Sequence, residues 1–484
     1  MGGAGGYPQA GRSGARLLLR LGAPLRAELL RGVLVVDGAA SDELPAGAGQ
    51  RLGVVRVDVF LMRSLVAFHA PGLPAWGCVT LRPMLLTELD LPTYDHIDPT
   101  VNGDAFHTAL GELARETWVA KGAMGFAVFD REAGNAVLRD RRMAFPALEL
   151  LELQGVSSGP IWDRTVDGLM VQSGEPHNRL RKQLAPAFTP RATERLRPRV
   201  RELVRELWEP VAGTGSVEFV KAVAEPLPSM AIAELLGVQG DAPLLARWSI
   251  QLQEVFKMRL HETAGEVEQA YEEARAYVFD KLAERRKNPG DDLISVLAAG
   301  TELNDDEYVT LICSVISGGT DTTEAQLAHG MRLFAQHPDQ WALLAEKPEL
   351  AERAVEEVVR FEPITPFTAR IATEDVELQG GGGQSVTVPK GTVLFVCSAT
   401  ANRDPATFAE PDRFDITREP EPVLTFGFGA HYCIGAYLAR AELTEAFTYL
   451  APRTPDLHLD GEPVFGPTAG IYAMQSLPLA WSVR

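Results

Sequence analysis

One cysteine in a glycine-rich stretch is the residue of this chain that is best suited to chemistry. Residues 426–435 read FGFGAHYCIG, so Cys433 follows His431 by two residues and precedes Gly435. A helical run begins at Ala436, and the dipole at a helix N-terminus favours a thiolate, which lowers the pKa of a thiol. No second cysteine or histidine lies nearby at zinc spacing, which argues against a zinc site. The stretch therefore predicts a thiolate that acts alone.

A lone cysteine at such a position is either an ordinary buried thiol or the single protein ligand of a haem iron. The stretch resembles the haem-ligand loop of the cytochrome P450 family, whose pattern is Phe-x-x-Gly-x-basic-x-Cys-x-Gly. Every fixed position is met, by Phe426, Gly429, His431, Cys433 and Gly435. The resemblance covers roughly residues 90–484. It implies the cytochrome P450 fold, mainly α with a small β region in a single large domain, and haem b as the cofactor, with Cys433 on the iron.

A second stretch with chemical potential lies inside a long helical segment from Asn304 to Met331. Asn304 followed by Glu307 at the third position predicts the start of this helix. The segment then contains Gly318 and Gly319, and a buried helix loses about 1 kcal/mol for each glycine relative to alanine. Such a cost indicates a purpose, either a kink or the close approach of a ligand.

Asp321 and Thr322 follow these glycines directly. An acid beside an alcohol can relay protons into a dry pocket. The alternative is a tolerated kink in which the hydroxyls bond back to the preceding turn. The resemblance implies that Asp321 passes protons from solvent and that Thr322 steadies dioxygen and a water molecule. It also implies that Gly318 and Gly319 open the groove where dioxygen binds.

Basic residues at two further places are candidate partners for the haem propionates. His177 and Arg181 are four residues apart, so they share one face of a helix whose first turn contains Pro176. A solvated basic face is the alternative. The resemblance implies that both residues bind propionates, together with Arg370 and His431. For Arg370, an ordinary arginine on a surface strand is an equally good interpretation.

Glu357 and Arg360 are three residues apart on another helix, a spacing that also occurs in pairs that we interpret as exposed helix pairs. The resemblance implies that these two residues join Arg413, in the segment Pro-x-Arg-Phe, in a structural triad behind the haem. One departure from the family pattern is Val423, which stands where many members have a histidine.

The remaining segments supply the elements that must position these residues. We expect a helix over 104–120, strands over 125–129, 385–388 and 392–398, and a succession of amphipathic helices over 192–300. Residues 142–174 read as a long connection, which in the family caps the substrate pocket. Residues 244–260 are either core or part of a mobile lid. Apolar residues near 364–367 and 468–474 favour a lipophilic substrate.

Composition limits the class of partner. Lys and Arg number 46 against 65 Asp and Glu, so the net charge is −19, which argues against nucleic acid and anionic membranes. The sequence contains no run of about 18 apolar residues, so it predicts no membrane span. Its four cysteines lack paired spacing and suit a reducing compartment, so we expect a cytoplasmic protein. Residues 86–484 would form the haem domain. Residues 1–85 are Arg-rich and are a targeting segment, a small added module or, as we favour, a tail of no set structure.

The resemblance implies a monooxygenase that inserts one oxygen atom from O2 into a lipophilic small molecule by hydroxylation or epoxidation. No flavin or NAD(P) motif is visible, so the electrons would come from a ferredoxin or flavodoxin with its NAD(P)H reductase. We expect this partner to dock on a basic patch of Arg181, Lys182 and Arg440 near Cys433. The alternatives are a non-catalytic haem sensor or carrier and a peroxide-driven peroxygenase, and the Asp321–Thr322 pair counts against both.

Overall fold

The computed structural model describes residues 84–95, 101–256, 260–468 and 470–483, together with three strands between residues 58 and 80. The chain divides into two compact units, Met1–Leu89 with Gly383–Thr387, and Asp90–Gly382 with Val388–Arg484. In the smaller unit, the described strands form an antiparallel meander of β1 (Asp58–Met62), β2 (Leu65–His69) and β3 (Gly77–Thr80). The alternatives for residues 1–85 stay predictions, because residues 1–57, 63–64, 70–76 and 81–83 lie outside the described part.

The larger unit is mainly helical with small sheets, which confirms the predicted fold class. Among the described residues of this unit, none of the helices is long and apolar enough to cross a membrane. The helices are α1 Gly103–Glu116, α2 Arg131–Arg139, α3 Ala147–Leu153, α4 Pro160–Val166, α5 Gly174–Leu184, α6 Pro190–Trp208, α7 Pro226–Leu236, α8 Ala242–Leu252, α9 Leu260–Lys287, α10 Leu293–Ala298, α11 Asp305–Gln336, α12 Pro338–Glu346, α13 Ala351–Phe361, α14 Ser398–Ala401 and α15 Ala436–Leu450.

The strands form one mixed sheet and several short pairings. The mixed sheet has the order β4 (Val119–Gly122), β5 (Gly125–Val128), β11 (Val393–Cys397), β8 (Phe367–Ala372) and β6 (Met143–Ala144). In this sheet β11 runs parallel to β5 and antiparallel to β8. The strands are β4 Val119–Gly122, β5 Gly125–Val128, β6 Met143–Ala144, β7 Ser216–Glu218, β8 Phe367–Ala372, β9 Val376–Gly380, β10 Gln384–Val388, β11 Val393–Cys397, β12 His458–Leu459, β13 Val464–Phe465, β14 Met474–Ser476 and β15 Pro478–Ala480.

Two sequence predictions of local structure were wrong in detail. The helix predicted over 104–120 ends at Glu116, and its last residues begin the strand β4. The connection predicted over 142–174 contains the short helices α3 and α4. The start of the long helix α11 is confirmed, because Asn304 and Glu307 form a reciprocal capping box.

The core brings three site-bearing helices together. One hydrophobic cluster contains Leu180 and Leu184 of α5, Ile312 and Ile316 of α11, and Leu438 of α15. Burying apolar surface of about 100 Å² stabilises by roughly 2.5 kcal/mol, so such a shared cluster fixes the relative positions of helices. The helices that carry the candidate basic residues, the Asp–Thr pair and the cysteine loop are therefore packed on one core.

Candidate active site

The cysteine loop is a tight turn that delivers Cys433 to the start of α15. The backbone N–H of Cys433 donates to the carbonyl of Phe426 at 2.8 Å, which closes the loop. Gly427 and Gly429 adopt φ of 66° and 70°, a left-handed conformation that favours glycine. A Cβ at Gly429 would also lie 3.0 Å from the carbonyl oxygen of Leu138 in α2. The two glycines are thus required by the turn and by its packing on α2.

The Cys433 side chain is accessible, although protein atoms surround it closely. Burial raises the pKa of its thiol, while the backbone N–H groups of Gly435 and Ala436 and the charges of Arg181 and Arg440 act in the opposite direction. The prediction that the helix N-terminus would lower this pKa was wrong in its net sign, because desolvation outweighs the dipole. These donors are nonetheless the groups that favour a thiolate once a cation binds the sulfur.

Four basic side chains from three separate stretches of the sequence meet around the loop, and we call His177, Arg181, Arg370 and His431 the cationic cluster. The rings of His177 and His431 lie 4.4 Å apart between centroids. Arg181 donates to the carbonyl of Tyr432 at 2.6 Å, next to Cys433. The charges of His177, Arg370 and Arg181 all lower the pKa of His431. The predicted propionate partners are therefore close neighbours in the fold.

Among the described residues, no carboxylate contacts the cationic cluster. Burial, followed by the three neighbouring basic residues, lowers the pKa of His431 to about 4. Arg370 is 4% exposed, and burial alone lowers its pKa to about 10. The Nε2 atom of His177 is buried without a hydrogen-bond partner in the described part of the chain. Arg181 and Arg370 keep their charge at neutral pH, whereas the lowered pKa of His431 leaves that ring neutral. Buried guanidinium groups normally have anionic partners, so this cluster fits a ligand that carries negative charge.

The Asp–Thr pair lies in an uninterrupted helix, because α11 runs from Asp305 through Thr322 to Gln336. The Thr322 hydroxyl donates to the carbonyl of Gly318 at 2.7 Å, which is the back-bonded arrangement named as the alternative. Asp321 accepts a hydrogen bond of 2.6 Å from the hydroxyl of Ser249 in α8. Sequence reasoning missed Ser249, because nothing in α8 marks one serine among its apolar residues.

The two glycines of α11 have different surroundings. A Cβ at Gly318 would meet no atom within 4 Å, so this residue borders open space. A Cβ at Gly319 would lie 2.5 Å from Cδ1 and 2.9 Å from Cγ1 of Ile232 in α7. Gly318 therefore fits the predicted groove for a small ligand, whereas Gly319 is needed for the contact between two helices.

The predicted structural triad is present, but its third member is Arg418 and not the predicted Arg413. The guanidinium of Arg360 donates to both carboxylate oxygens of Glu357, at 2.7 and 2.8 Å, and both side chains are buried. Arg418 supplies the third group, with its Nε 3.1 Å from Glu357. Arg413 does not complete the triad, because its exposed guanidinium pairs with Glu410 and Asp415.

We call Glu357, Arg360 and Arg418 the paired cluster. Arg360 also donates to the carbonyls of Asn402, Pro411 and Arg413, so it ties α13 to the irregular segment before the cysteine loop. No local feature of the sequence marks Arg418 rather than Arg413 as the partner of Glu357.

The predicted basic patch is largely neutralised. Arg440 forms an ion pair with Glu356 and lies over the ring of Phe426 at 4.3 Å. Arg181 turns inward to Tyr432. Lys182 is exposed, and its Nζ lies 3.5 Å from Glu302. Only Lys182 of these three residues therefore presents its charge mainly to solvent.

The chain matches the family model described as Cytochrome P450 over residues 242–450, which include the Asp–Thr pair and the cysteine loop. It is 37% identical over 397 residues to luteothin monooxygenase of Streptomyces thioluteus, covering 81% of this chain and 96% of that protein. It is 38% identical over 300 residues to the mycinamicin IV hydroxylase/epoxidase of Micromonospora griseorubida, covering 60% of this chain and 73% of that protein.

Solved structures show the same architecture. The crystal structure of CalO2 superposes with a TM-score of 0.75 at 31% identity, covering 81% of this chain and 99% of that one. The structure of P450BioI in complex with an acyl carrier protein ligated to hexadec-9Z-enoic acid gives a TM-score of 0.71 at 32% identity, covering 78% and 98%. Both similarities extend over nearly the whole of the compared chains.

Proposed function

Because the chain belongs to the cytochrome P450 family and is a haem-thiolate monooxygenase, we propose which of its residues hold the haem and serve the oxygen chemistry. Cys433 would hold the iron of haem b as its thiolate ligand. The cationic cluster binds the propionates, and Phe426 and Gly435 shape the loop beside the sulfur. The observation that carries this assignment is the convergence of four basic side chains beside Cys433, with no carboxylate among the described residues to balance them.

The donor set fits this cofactor in number and in charge. Two propionates carry two negative charges, and a guanidinium can bind a carboxylate with two parallel hydrogen bonds. Bound haem supplies the chemistry that activates dioxygen, with an axial thiolate that favours O–O cleavage. Arg181 connects the two parts of the site, because it bonds to the carbonyl next to Cys433 while it belongs to the cationic cluster.

The groups for proton delivery lie in α11. Asp321 takes up protons, and the Thr322 hydroxyl holds a water molecule beside the open space at Gly318. The back-bond from Thr322 to the carbonyl of Gly318 uses the single proton of the hydroxyl and leaves its lone pairs free to accept. A water molecule that donates to Thr322 is thereby oriented for proton transfer. Gly319 serves the packing of α11 on Ile232.

The electrons come from a ferredoxin or a flavodoxin with its NAD(P)H reductase in the cytoplasm, and the substrate is a lipophilic small molecule. Ile364 and Phe367, which precede Arg370 in the chain, are buried apolar residues, and their apolar character supports a lipophilic substrate. The docking surface depends on Lys182 rather than on the full basic patch, since Arg181 and Arg440 are engaged inside the protein.

The difference spectrum of the ferrous–CO complex tests the assignment. We expect a Soret band shifted far to the red in the wild-type protein and its loss in Cys433→Ala, because only a thiolate ligand produces the shift. Cys397→Ala is the matched control, since Cys397 is a buried thiol in β11 that contacts Thr400 and Ala399. Retention of the band in Cys433→Ala, or its loss in Cys397→Ala, would contradict the assignment of the ligand.

A further inference from the structure

A serine from α8 reaches the acid of the Asp–Thr pair. We propose that Ser249 is a positioning residue for Asp321. The hydroxyl of Ser249 forms a hydrogen bond with the Asp321 carboxyl in both protonation states of that carboxyl. This inference rests on the proposed role of Asp321 as the group that takes up protons. Ser249 is fully buried, and its Oγ lies 2.6 Å from Oδ1 of Asp321 and 3.3 Å from the carbonyl oxygen of Ser317.

The two acceptors of Ser249 differ in strength and in use. A serine hydroxyl has one proton to donate and two lone pairs with which to accept. When Asp321 is ionised, Ser249 donates to the carboxylate, and such a charge-assisted bond is short and strong. When Asp321 is protonated, its own O–H donates to Oγ of Ser249, and the serine hydroxyl turns to the carbonyl of Ser317. Neither state then leaves the buried hydroxyl of Ser249 without a hydrogen bond.

The hydrogen bonds between Ser249, Asp321 and Ser317 can therefore adjust to the protonation state of Asp321 by rotation of the Ser249 hydroxyl alone. A proton that arrives at Asp321 reverses the direction of one hydrogen bond and shifts a second one to Ser317. When Asp321 gives up that proton, both bonds return, so no heavy atom has to move. The carboxyl keeps one orientation while it gains and loses a proton, and a fixed orientation is what proton transfer at short range needs.

The chain also provides a matched control for the attachment of this segment to α11. Gln253, one turn after Ser249, donates from Nε2 to the same carbonyl of Ser317 at 2.9 Å. Gln253→Ala removes a hydrogen bond between the same two parts of the protein, and the described bond that it removes leads to Ser317 rather than to Asp321. A merely structural role for Ser249 would make the two substitutions equivalent.

The kinetic test follows the oxidation of NADPH by the haem-loaded protein with saturating plant-type ferredoxin and its reductase, in H2O and in D2O. Ser249→Ala should slow oxidation about tenfold, because a charge-assisted hydrogen bond is lost, and should raise the solvent isotope effect. Ser249→Thr, which keeps the hydroxyl, should restore both quantities, and Gln253→Ala should change neither. Equal effects of Ser249→Ala and Gln253→Ala would overturn the inference.

An infrared measurement on the resting protein supplies a readout that does not depend on turnover. The carboxyl band of Asp321 is identified as the band that changes with pH in the wild-type protein and is absent from Asp321→Asn. We expect Ser249→Ala to shift this band and Gln253→Ala to leave it in place. If Asp321→Asn oxidises NADPH at the wild-type rate, the proposed role of Asp321 fails. If Asp321→Asn is slow but Ser249→Ala shifts neither the band nor the isotope effect, only the role of Ser249 fails.

Discussion

The cationic cluster and the paired cluster contain similar residues, yet they differ in what balances their charge. In the paired cluster, the Glu357 carboxylate accepts two hydrogen bonds from Arg360 and a third from Arg418. In the cationic cluster, Arg370 is buried to a similar degree, and its guanidinium donates to the carbonyl of Ala369. A cluster whose guanidinium groups share a buried carboxylate holds the fold together, whereas one whose guanidinium groups meet no carboxylate among the described residues is built for a ligand.

A third group of buried charges follows the pattern of the paired cluster. Glu362 lies 2.8 Å from His107 and 2.5 Å from Arg332, and all three side chains are largely buried. His107 and Arg332 lower the pKa of Glu362, although burial acts in the opposite direction. This group is balanced internally, so by the same criterion it stabilises the fold and does not mark a ligand site.

The substitution with the largest expected effect breaks the paired cluster. Arg360→Ala leaves the buried carboxylate of Glu357 with less compensation, and breaking a buried ion pair costs about 3–5 kcal/mol. We expect the free energy of unfolding of the haem-free protein to fall by about this amount in urea titrations followed by circular dichroism. Arg413→Ala is the control, and it should cost less than about 0.5 kcal/mol because Arg413 is exposed. A similar loss in both variants would return Arg413 to the triad.

The next substitution should have the opposite character. Arg370→Leu removes a buried guanidinium that meets no carboxylate among the described residues, so the haem-free protein should be as stable as wild type or more stable. The haem should dissociate about tenfold faster, because a charge-assisted bond to a propionate is lost. Transfer of haem to apomyoglobin measures this rate, and Arg370→Lys, which keeps the charge, should be intermediate. The comparison of the clusters fails if Arg370→Leu destabilises the haem-free protein as strongly as Arg360→Ala.

The contiguous parts of the site were the parts that sequence could predict. The cysteine loop is local, so its glycines, its aromatic residue and its helix follow from ten consecutive residues. The partners of Glu357 could not be predicted with the same success, because Arg413 and Arg418 lie five residues apart in an irregular segment. Which of them reaches the carboxylate depends on the path of the backbone, and that path is set by the carbonyls that Arg360 binds.

Short helices and contacts between distant helices were missed for related reasons. The helices α3 and α4 have seven residues each, and a periodic pattern of two turns is hard to separate from a loop. Ser249 became visible only when α8 was packed on α11, since its role depends on Asp321, which lies 72 residues away. Side chains whose function lies in one tertiary contact carry no local sequence signal.

The smallest expected effect distinguishes the two adjacent glycines of α11, as the first two predictions distinguish the two clusters that each contain two arginines. Alanine gains about 1 kcal/mol over glycine in a helix, so Gly318→Ala should raise the free energy of unfolding, because its Cβ meets nothing within 4 Å. In Gly319→Ala the new methyl group meets Ile232, and overpacking costs about 1–3 kcal/mol, which offsets or exceeds the gain. Urea titration of both variants measures the difference, and adding Ile232→Val to Gly319→Ala should recover part of the loss by removing the Cδ1 atom. We expect Gly318→Ala to stabilise the protein and also to slow the oxidation of NADPH, and Gly319→Ala to change stability alone. These outcomes would mean that Gly318 is kept for the ligand, because it borders open space, and that Gly319 is kept for the fold, because it contacts Ile232.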